Sequence, residues 1–236
     1  MVYKWLRSAS WRLYPPVCLV CGGRGEPGRD LCAGCAGDLR RNRDACACCA
    51  EPLPAAAPPG SLCGRCQRSP PAFDLCRAPY LYAPPLDRLL TGLKFNARLA
   101  HARLLATLLR DTLGNPGPEA PDQLVPVPLH PARLRERGFN QALELARPLA
   151  RSLDIPLDPG LLVRTRASAP QSGLQRSLRR ANVRGAFAVA HPPAARYVAV
   201  IDDVLTTGHT ASEIATTLKR AGVARVEVWV VARTPP

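Results

Sequence analysis

The chain has 236 residues, room for one α/β domain with a small appendage, and no stretch has the apolar length of a membrane-spanning helix. Its formal charge of +14 comes from 32 Lys and Arg against 18 Asp and Glu. That balance is compatible with nucleic acid or polyphosphate ligands and selects neither. All but three of the basic residues are Arg, the better bidentate phosphate ligand; the exceptions are Lys4, Lys94 and Lys219.

Residues Met1–Pro16 are interrupted by Lys4, Arg7 and Arg12 and lack the apolar core of a signal peptide. Trp5, Leu6, Trp11 and Leu13 read as a short amphipathic turn packed on the rest of the protein, and a cytoplasmic location is expected. The ten cysteines then fall within the first third of the chain, as C-x₂-C-x₁₀-C-x₂-C (Cys18, Cys21, Cys32, Cys35) and C-x₂-C-x₁₃-C-x₂-C (Cys46, Cys49, Cys63, Cys66), offset by 28 residues. Each C-x₂-C turn presents two thiolates, so two turns complete a tetrahedral Cys₄ zinc site. The internal repeat predicts two such sites. With so few large apolar residues in the segment, metal binding supplies its folding free energy. A disulfide framework is the alternative, set aside because a cytosolic chain keeps its thiols reduced. Zinc with four thiolates has no open position, so the role expected is structural. Eight thiolates and two dications lower the formal charge by four, to +10. Cys48 offers an alternative C-x-C pairing with Cys46, and Cys76 reads as a small buried hydrophobe. Pro52–Pro59 reads as a solvated loop, and Pro70-Pro71 marks a linker, giving expected units of 1–70 and 71–236.

Beyond the linker, Arg77–Tyr82 reads as a strand, and Leu86–Leu113 as helix with a break near Asn96. Asn115–Pro121 is a loop. Leu124–Leu129 is a strand whose two prolines place it at an edge or at its end. His130–Gln141, with Arg133, Arg135 and Arg137, opens a helix reaching about Ser152. Three guanidinium groups beside a strand end suit a pyrophosphate, or form only a solvated basic loop. A strand near Leu161–Val163 precedes a polar arm, Arg164–Arg184, which includes Arg179 and Arg180. The arm suits closure over an anion, a surface loop, or a nucleic acid backbone contact. Strands at Ala186–Val189, Val198–Ile201 and Val226–Val231 complete an alternation that predicts a mostly parallel sheet.

The most informative stretch is Val198–Thr210, Val-Ala-Val-Ile-Asp-Asp-Val-Leu-Thr-Thr-Gly-His-Thr. A short β-branched run reads as a buried parallel strand ending in Asp202 and Asp203. Val204 and Leu205 lead to Thr206, Thr207, Gly208, His209 and Thr210, and then to a helix with Ala211, Ile214, Ala215 and Leu218 on one face and Gly222 placed as its cap. Carboxylates at the carboxyl end of a strand lie where open α/β sheets bind ligands. The turn feeds a helix N-terminus, where backbone N–H groups favour a phosphate. Acidic pair and anion cradle together suit a phosphorylated sugar. A Walker B strand is disfavoured because no G-x-x-x-x-G-K-[ST] precedes it. A plain strand–turn–helix with capping threonines is the blander alternative.

This string resembles the phosphoribosyl pyrophosphate (PRPP) signature of type I phosphoribosyltransferases. Together with the cysteine knuckles, Val-Pro-Val-Pro-Leu-His-Pro-Ala-Arg-Leu-Arg-Glu-Arg-Gly-Phe-Asn-Gln and Gln171–Phe187, it resembles the ComF/GntX family over nearly the whole chain. The resemblance implies a double zinc ribbon followed by a type I phosphoribosyltransferase fold, and a link to natural transformation, its proteins and incoming single-stranded DNA. It implies PRPP with its 5′-phosphate on Thr206–Thr210 and its ribose hydroxyls on Asp202 and Asp203. Mg²⁺ would bridge hydroxyls and pyrophosphate, with Arg133, Arg135, Arg137, Arg179 and Arg180 on the pyrophosphate. Two departures stand out: the extra Cys48, and the near absence of Lys from the arm. Phe95, Phe139, Phe187, Tyr80 and Tyr82 are the candidate stacking platforms for a DNA-binding alternative.

Overall fold

A computed structural model describes residues 15–114, 117–166 and 183–235. The N-terminal amphipathic turn and most of the polar arm, including Arg179 and Arg180, lie outside them.

Two short helices begin inside zinc-type knuckles, α1 (Ala33–Gly37), which carries Cys35, and α2 (Gly64–Arg68), which carries Cys66. Then come β1 (Leu75–Arg77), β2 (Tyr80–Leu81), α3 (Leu86–Asn96), α4 (Leu99–Leu113), β3 (Gln123–Pro126), α5 (Pro131–Arg137), α6 (Gln141–Leu153), β4 (Leu162–Arg164), β5 (Phe187–Val189), β6 (Tyr197–Leu205), α7 (His209–Arg220) and β7 (Arg225–Arg233). The main sheet runs β1–β7–β6–β3, all parallel, with β2 continuing the β1 edge along β7. The antiparallel pair β4–β5 stands apart from it.

Strand parity splits the core. Val198, Val200, Val226, Val228 and Val230 face one apolar cluster with Ile214 and Leu218 of α7. Ala199, Ile201, Trp229 and Val231 face another with Leu105 and Leu109 of α4 and Leu145 and Leu149 of α6. Burial on both sides is why β6 and β7 read as continuous apolar runs rather than alternating ones. Each fully buried leucine here stabilises the fold by about 1.5–3 kcal/mol. The knuckles split the same way: Cys46, Cys49, Cys63 and Cys66 join the first cluster, while Cys18 and Cys35 join the second. The ribbon segment therefore straddles the sheet.

Several expected elements are redrawn. Strand β6 does not stop at Ile201 but continues through both carboxylates to Leu205, because Asp202 and Val204 remain in register with Val230 and Ala232 of β7. Arg77–Tyr82 is two strands, interrupted at Ala78 and Pro79 where proline has no N–H to donate. The helix expected from His130 to Ser152 is two, because Gly138 turns left-handed at φ +80 and Asn140 caps a new start by accepting from the Ala142 N–H at 3.0 Å. The break near Asn96 is a left-handed residue, Ala97. The two prolines of 124–129 sit as expected: β3 is an edge strand and ends at Pro126.

Candidate functional site

The carboxyl ends of the neighbouring parallel strands β3 and β6 open onto one side of the sheet. From β3 the chain enters α5 with its arginines; from β6 it passes Asp202 and Asp203 into a three-residue turn and α7.

Asp203 is 4% exposed, and Lys94 Nζ at the end of α3 donates to its Oδ2 at 2.9 Å. Burial alone would raise the Asp203 carboxyl, but the Lys94 ammonium prevails and holds it below the usual range. Burial likewise opposes the ammonium, and Asp203 holds it above its ordinary value. Asp202 is pushed up to about 8 by desolvation and then by the neighbouring Asp203 charge. Asp202 thus holds its proton more readily than Asp203, which stays with the Lys94 ammonium. Lys94 is the functional residue that sequence reasoning missed here. As one of only three lysines it stands out in the sequence, but nothing near it in the chain names Asp203, 109 positions away, as its partner.

The turn Thr206–Gly208 is held from behind. Arg233, at the end of β7 and 3% exposed, donates through Nη1 to the carbonyls of Leu205 (3.0 Å) and Thr206. Arg65, inside the second knuckle, donates through Nη1 to the Thr207 carbonyl at 2.7 Å. Gly208 adopts φ +78, a conformation only glycine takes without strain, and hands the chain to α7 at His209. Val204 is half-buried and Leu205 is buried, with its carbonyl also accepting from the Thr234 N–H at 3.1 Å. The two residues form the strand end that carries the turn. Val223 N–H bonds back to the Leu218 carbonyl at 3.1 Å, and Gly222 sits left-handed at φ +103, the expected helix stop.

Because α5 is a helix, Arg133 and Arg137 share a face and Arg135 points the other way, exposed. Desolvation and then the Arg133 charge depress Arg137, with Asp203 partly compensating. The same two causes depress Arg164 of β4, with Asp202 compensating. Arg133 thus bears on both Arg137 and Arg164, and each of those two also feels one of the carboxylates, whereas Arg135 acts on neither. Arg137 also lies over the Phe95 ring at 5.7 Å. Of the five candidate stacking platforms, Tyr80 and Phe187 are buried and Tyr82 and Phe139 half-buried. Of the five only Phe95 is exposed, at 68%.

The two cysteine quartets are each assembled, with sulfurs within 4.8 Å of one another. The Cys21–Cys32 and Cys49–Cys63 sulfur pairs are 3.8 and 3.7 Å apart. Four thiolates about 2.3 Å from a tetrahedral Zn²⁺ lie about 3.8 Å from each other, so the donor set fits the ion. The thiols are also electrostatically frustrated. Burial opposes ionisation of Cys18, but N–H groups of residues 21, 32 and 20 prevail and draw it down to about 6. Cys32 as a hydrogen-bond partner, with desolvation, pushes Cys35 up. A dication relieves that conflict. Cys48 stays outside the quartet, which pairs Cys46 with Cys49, and Cys76 is buried in the core.

Residues 10–67 match the double zinc ribbon domain model. The chain is 41% identical over 176 residues to the DNA utilization protein YhgH of Escherichia coli O157:H7, covering 73% of this chain and 78% of that one. It is 36% identical over 178 residues to competence protein F of Haemophilus influenzae, covering 72% of this chain and 78% of that protein. The chain belongs to the ComF family. Its double zinc ribbon is joined to a parallel sheet with flanking helices. Solved structures similar to part of the chain include the glutamine PRPP amidotransferase of B. subtilis complexed with ADP and GMP, at 22% identity and TM-score 0.34, covering 55% of this chain and 25% of that one. Another is a purine phosphoribosyltransferase of Pyrococcus horikoshii, at 19% identity and TM-score 0.30, covering 57% and 81%. Among the described residues no helix is long and apolar enough to cross a membrane.

Proposed function

We propose that this ComF-family protein binds PRPP or a related phosphoribosyl compound with Mg²⁺, in the cytoplasm, as part of DNA uptake or nucleotide handling. The observation that carries the reading is the meeting of three features at the carboxyl ends of β3 and β6: two adjacent carboxyls of which Asp203 is paired with Lys94, a turn whose carbonyls are held from behind, and Arg133 and Arg137 on one face of α5. The N–H groups of Thr206, Thr207, Gly208, His209 and Thr210 take the 5′-phosphate, with Val204 and Leu205 fixing where the turn begins. Asp202 and Asp203 take the ribose hydroxyls; as hard oxygen donors they also suit Mg²⁺. Bound there, the ion supplies charge neutralisation for a leaving pyrophosphate. Arg133 and Arg137, with Arg179 and Arg180 from the arm, pair with pyrophosphate, and an anion relieves the repulsion among the arginines. Arg135 is the least committed member of that set. If transfer occurs, carboxylate charge beside an oxocarbenium-like ribosyl centre favours the transition state over the ground state.

A second reading, a DNA-binding scaffold without turnover, is favoured by the exposed Phe95 beside Arg137, a base-stacking face next to a phosphate ligand. Calorimetric titration of the zinc-loaded protein separates the two. PRPP binding strengthened by Mg²⁺ and lost in Asp202→Asn/Asp203→Asn supports the phosphoribosyl site, and full retention in that variant refutes it. No PRPP binding, with salt-dependent oligonucleotide binding, favours the scaffold.

A further inference from the structure

The second cysteine knuckle lies closer to the phosphate turn than a remote structural ribbon needs to. Arg65 sits between Cys63 and Cys66; while Nη1 donates to the Thr207 carbonyl, Nη2 lies 3.2 Å from Glu51 Oε2 and 3.7 Å from Cys49 Sγ. Arg233 reaches the same knuckle from the sheet, with Nη2 3.1 Å from Glu51 Oε2 and Nε donating to the Cys49 carbonyl at 3.3 Å. One carboxylate, Glu51, thus gathers both guanidinium groups. Between them they hold three consecutive carbonyls, those of Leu205, Thr206 and Thr207. In a trans peptide the carbonyl of one residue and the N–H of the next point in opposite directions. Drawing those carbonyls toward the ribbon therefore turns the N–H groups of Thr206, Thr207 and Gly208 away from it, to the side where a phosphate is to be held. The same arrangement sets two cations behind an anion site.

We infer that Arg65 and Arg233 are positioning residues of the phosphate turn, and that the second Cys₄ site is its back wall, so that zinc in this knuckle conditions phosphate binding. This deepens the phosphoribosyl reading and rests on it for the ligand. The knuckle places Arg65 because Cys63 and Cys66 flank it. A ligand set closed around zinc fixes that short helix, and a relaxed one releases the Thr207 carbonyl.

Two measurements on the full-length protein test this, one of them independent of any ligand. Hydrogen exchange at the amides of 206–208 is expected to quicken in Arg65→Ala, while those of β3 and the buried part of β6 keep wild-type rates. Calorimetry with ribose 5-phosphate as the probe is expected to show about tenfold weaker binding in Arg65→Ala, the loss of one charge-assisted hydrogen bond. Arg65→Lys should recover part of it. Both variants are compared at two zinc per chain, since unchanged metal content excludes simple ribbon unfolding. Withdrawing zinc from wild type with a chromogenic chelator should quicken the same three amides. Unchanged exchange and affinity in Arg65→Ala would overturn the inference, as would turn amides indifferent to zinc withdrawal. A wild-type protein that ignores ribose 5-phosphate would refute the phosphoribosyl reading, and the exchange measurement would still decide whether ribbon and turn are coupled.

Discussion

Replacing Lys94 with Met keeps the aliphatic stem and removes only the ammonium. At 2.9 Å a pair of unit charges at an effective dielectric of about 20 interacts by about 6 kcal/mol. The loss falls short of that, because the lysine side chain is about a third exposed and because Asp203 can escape by taking up a proton. Keeping an ordinary carboxyl protonated at pH 7 costs about 1.4 kcal/mol for each unit above its pKa, or about 4 kcal/mol in all. The expected destabilisation at pH 7 is therefore about 2–4 kcal/mol. Its pH dependence carries the argument. In the wild type Asp203 is depressed, so its contribution is present above the ordinary carboxyl range and constant between pH 6 and 8. In the variant Asp203 is left beside Asp202 with no cation, and the folded variant holds up to one proton more than the folded wild type, in which Asp202 is already raised to about 8. The gap between the two proteins then widens as pH rises, by up to about 1.4 kcal/mol per unit. Urea titrations of both proteins at pH 6, 7 and 8 in saturating zinc measure the gap. A gap equal at all three values would mean that Lys94 acts by packing, and the electrostatic account would fail. Asp203→Asn in the Lys94→Met background should recover most of the loss.

Other perturbations separate further parts of the structure. Glu227, fully buried in β7, is contacted by Arg77 at 3.0 Å, Arg225 at 2.7 Å and Trp229 Nε1 at 2.8 Å; burial works to raise it, but these partners and Tyr197 hold it below its usual range. Glu227→Gln should cost about 1–3 kcal/mol, discounted because both arginines are half exposed. Being ionised throughout, Glu227 should give a gap in urea titrations that stays flat from pH 6 to 8. A Cβ on Gly92 would meet His101 Cε1 at 2.6 Å and Nδ1 at 2.7 Å. Gly92→Ala should therefore displace His101 from its 2.8 Å bond with the Leu89 carbonyl and cost about 1–3 kcal/mol by thermal melting. Chromogenic release with a mercurial reagent should count two zinc ions per chain in both wild type and Cys48→Ser, and one missing ion in the variant would place Cys48 among the ligands.

Much of this was legible in the sequence where chemistry and chain spacing coincide. The knuckles announce themselves because their ligands are local, and Val198–Thr210 because strand, carboxylates and turn follow one another without interruption. Arg133 and Arg137 were legible as candidates, but their separation from Arg135 was not, because alternation along the chain becomes opposite faces once the segment is helical. Lys94, Arg65 and Arg233 were illegible for a different reason. Each acts on residues more than 25 positions away, on Asp203, Thr207 and Leu205, across packing that no local pattern encodes. Arg233 resembles the end of an apolar strand, and Arg65 resembles filler between two ligands. The length of β6 was misjudged because carboxylates read as a strand terminus, whereas pairing with β7 carries the ladder past them.

The order of strands also has a consequence for how the protein is made. Strand β7 lies between β1 and β6 although it is synthesised after both. The cysteine quartets close over short sequence intervals and can capture metal soon after leaving the ribosome. The sheet cannot close until residues 225–233 have emerged, since β1 and β6 have no shared edge without them. The nascent chain therefore passes through a stage with loaded ribbons and two unjoined halves of a sheet. Arg233 arrives at the end of that stage, so the phosphate turn is among the last features to take shape.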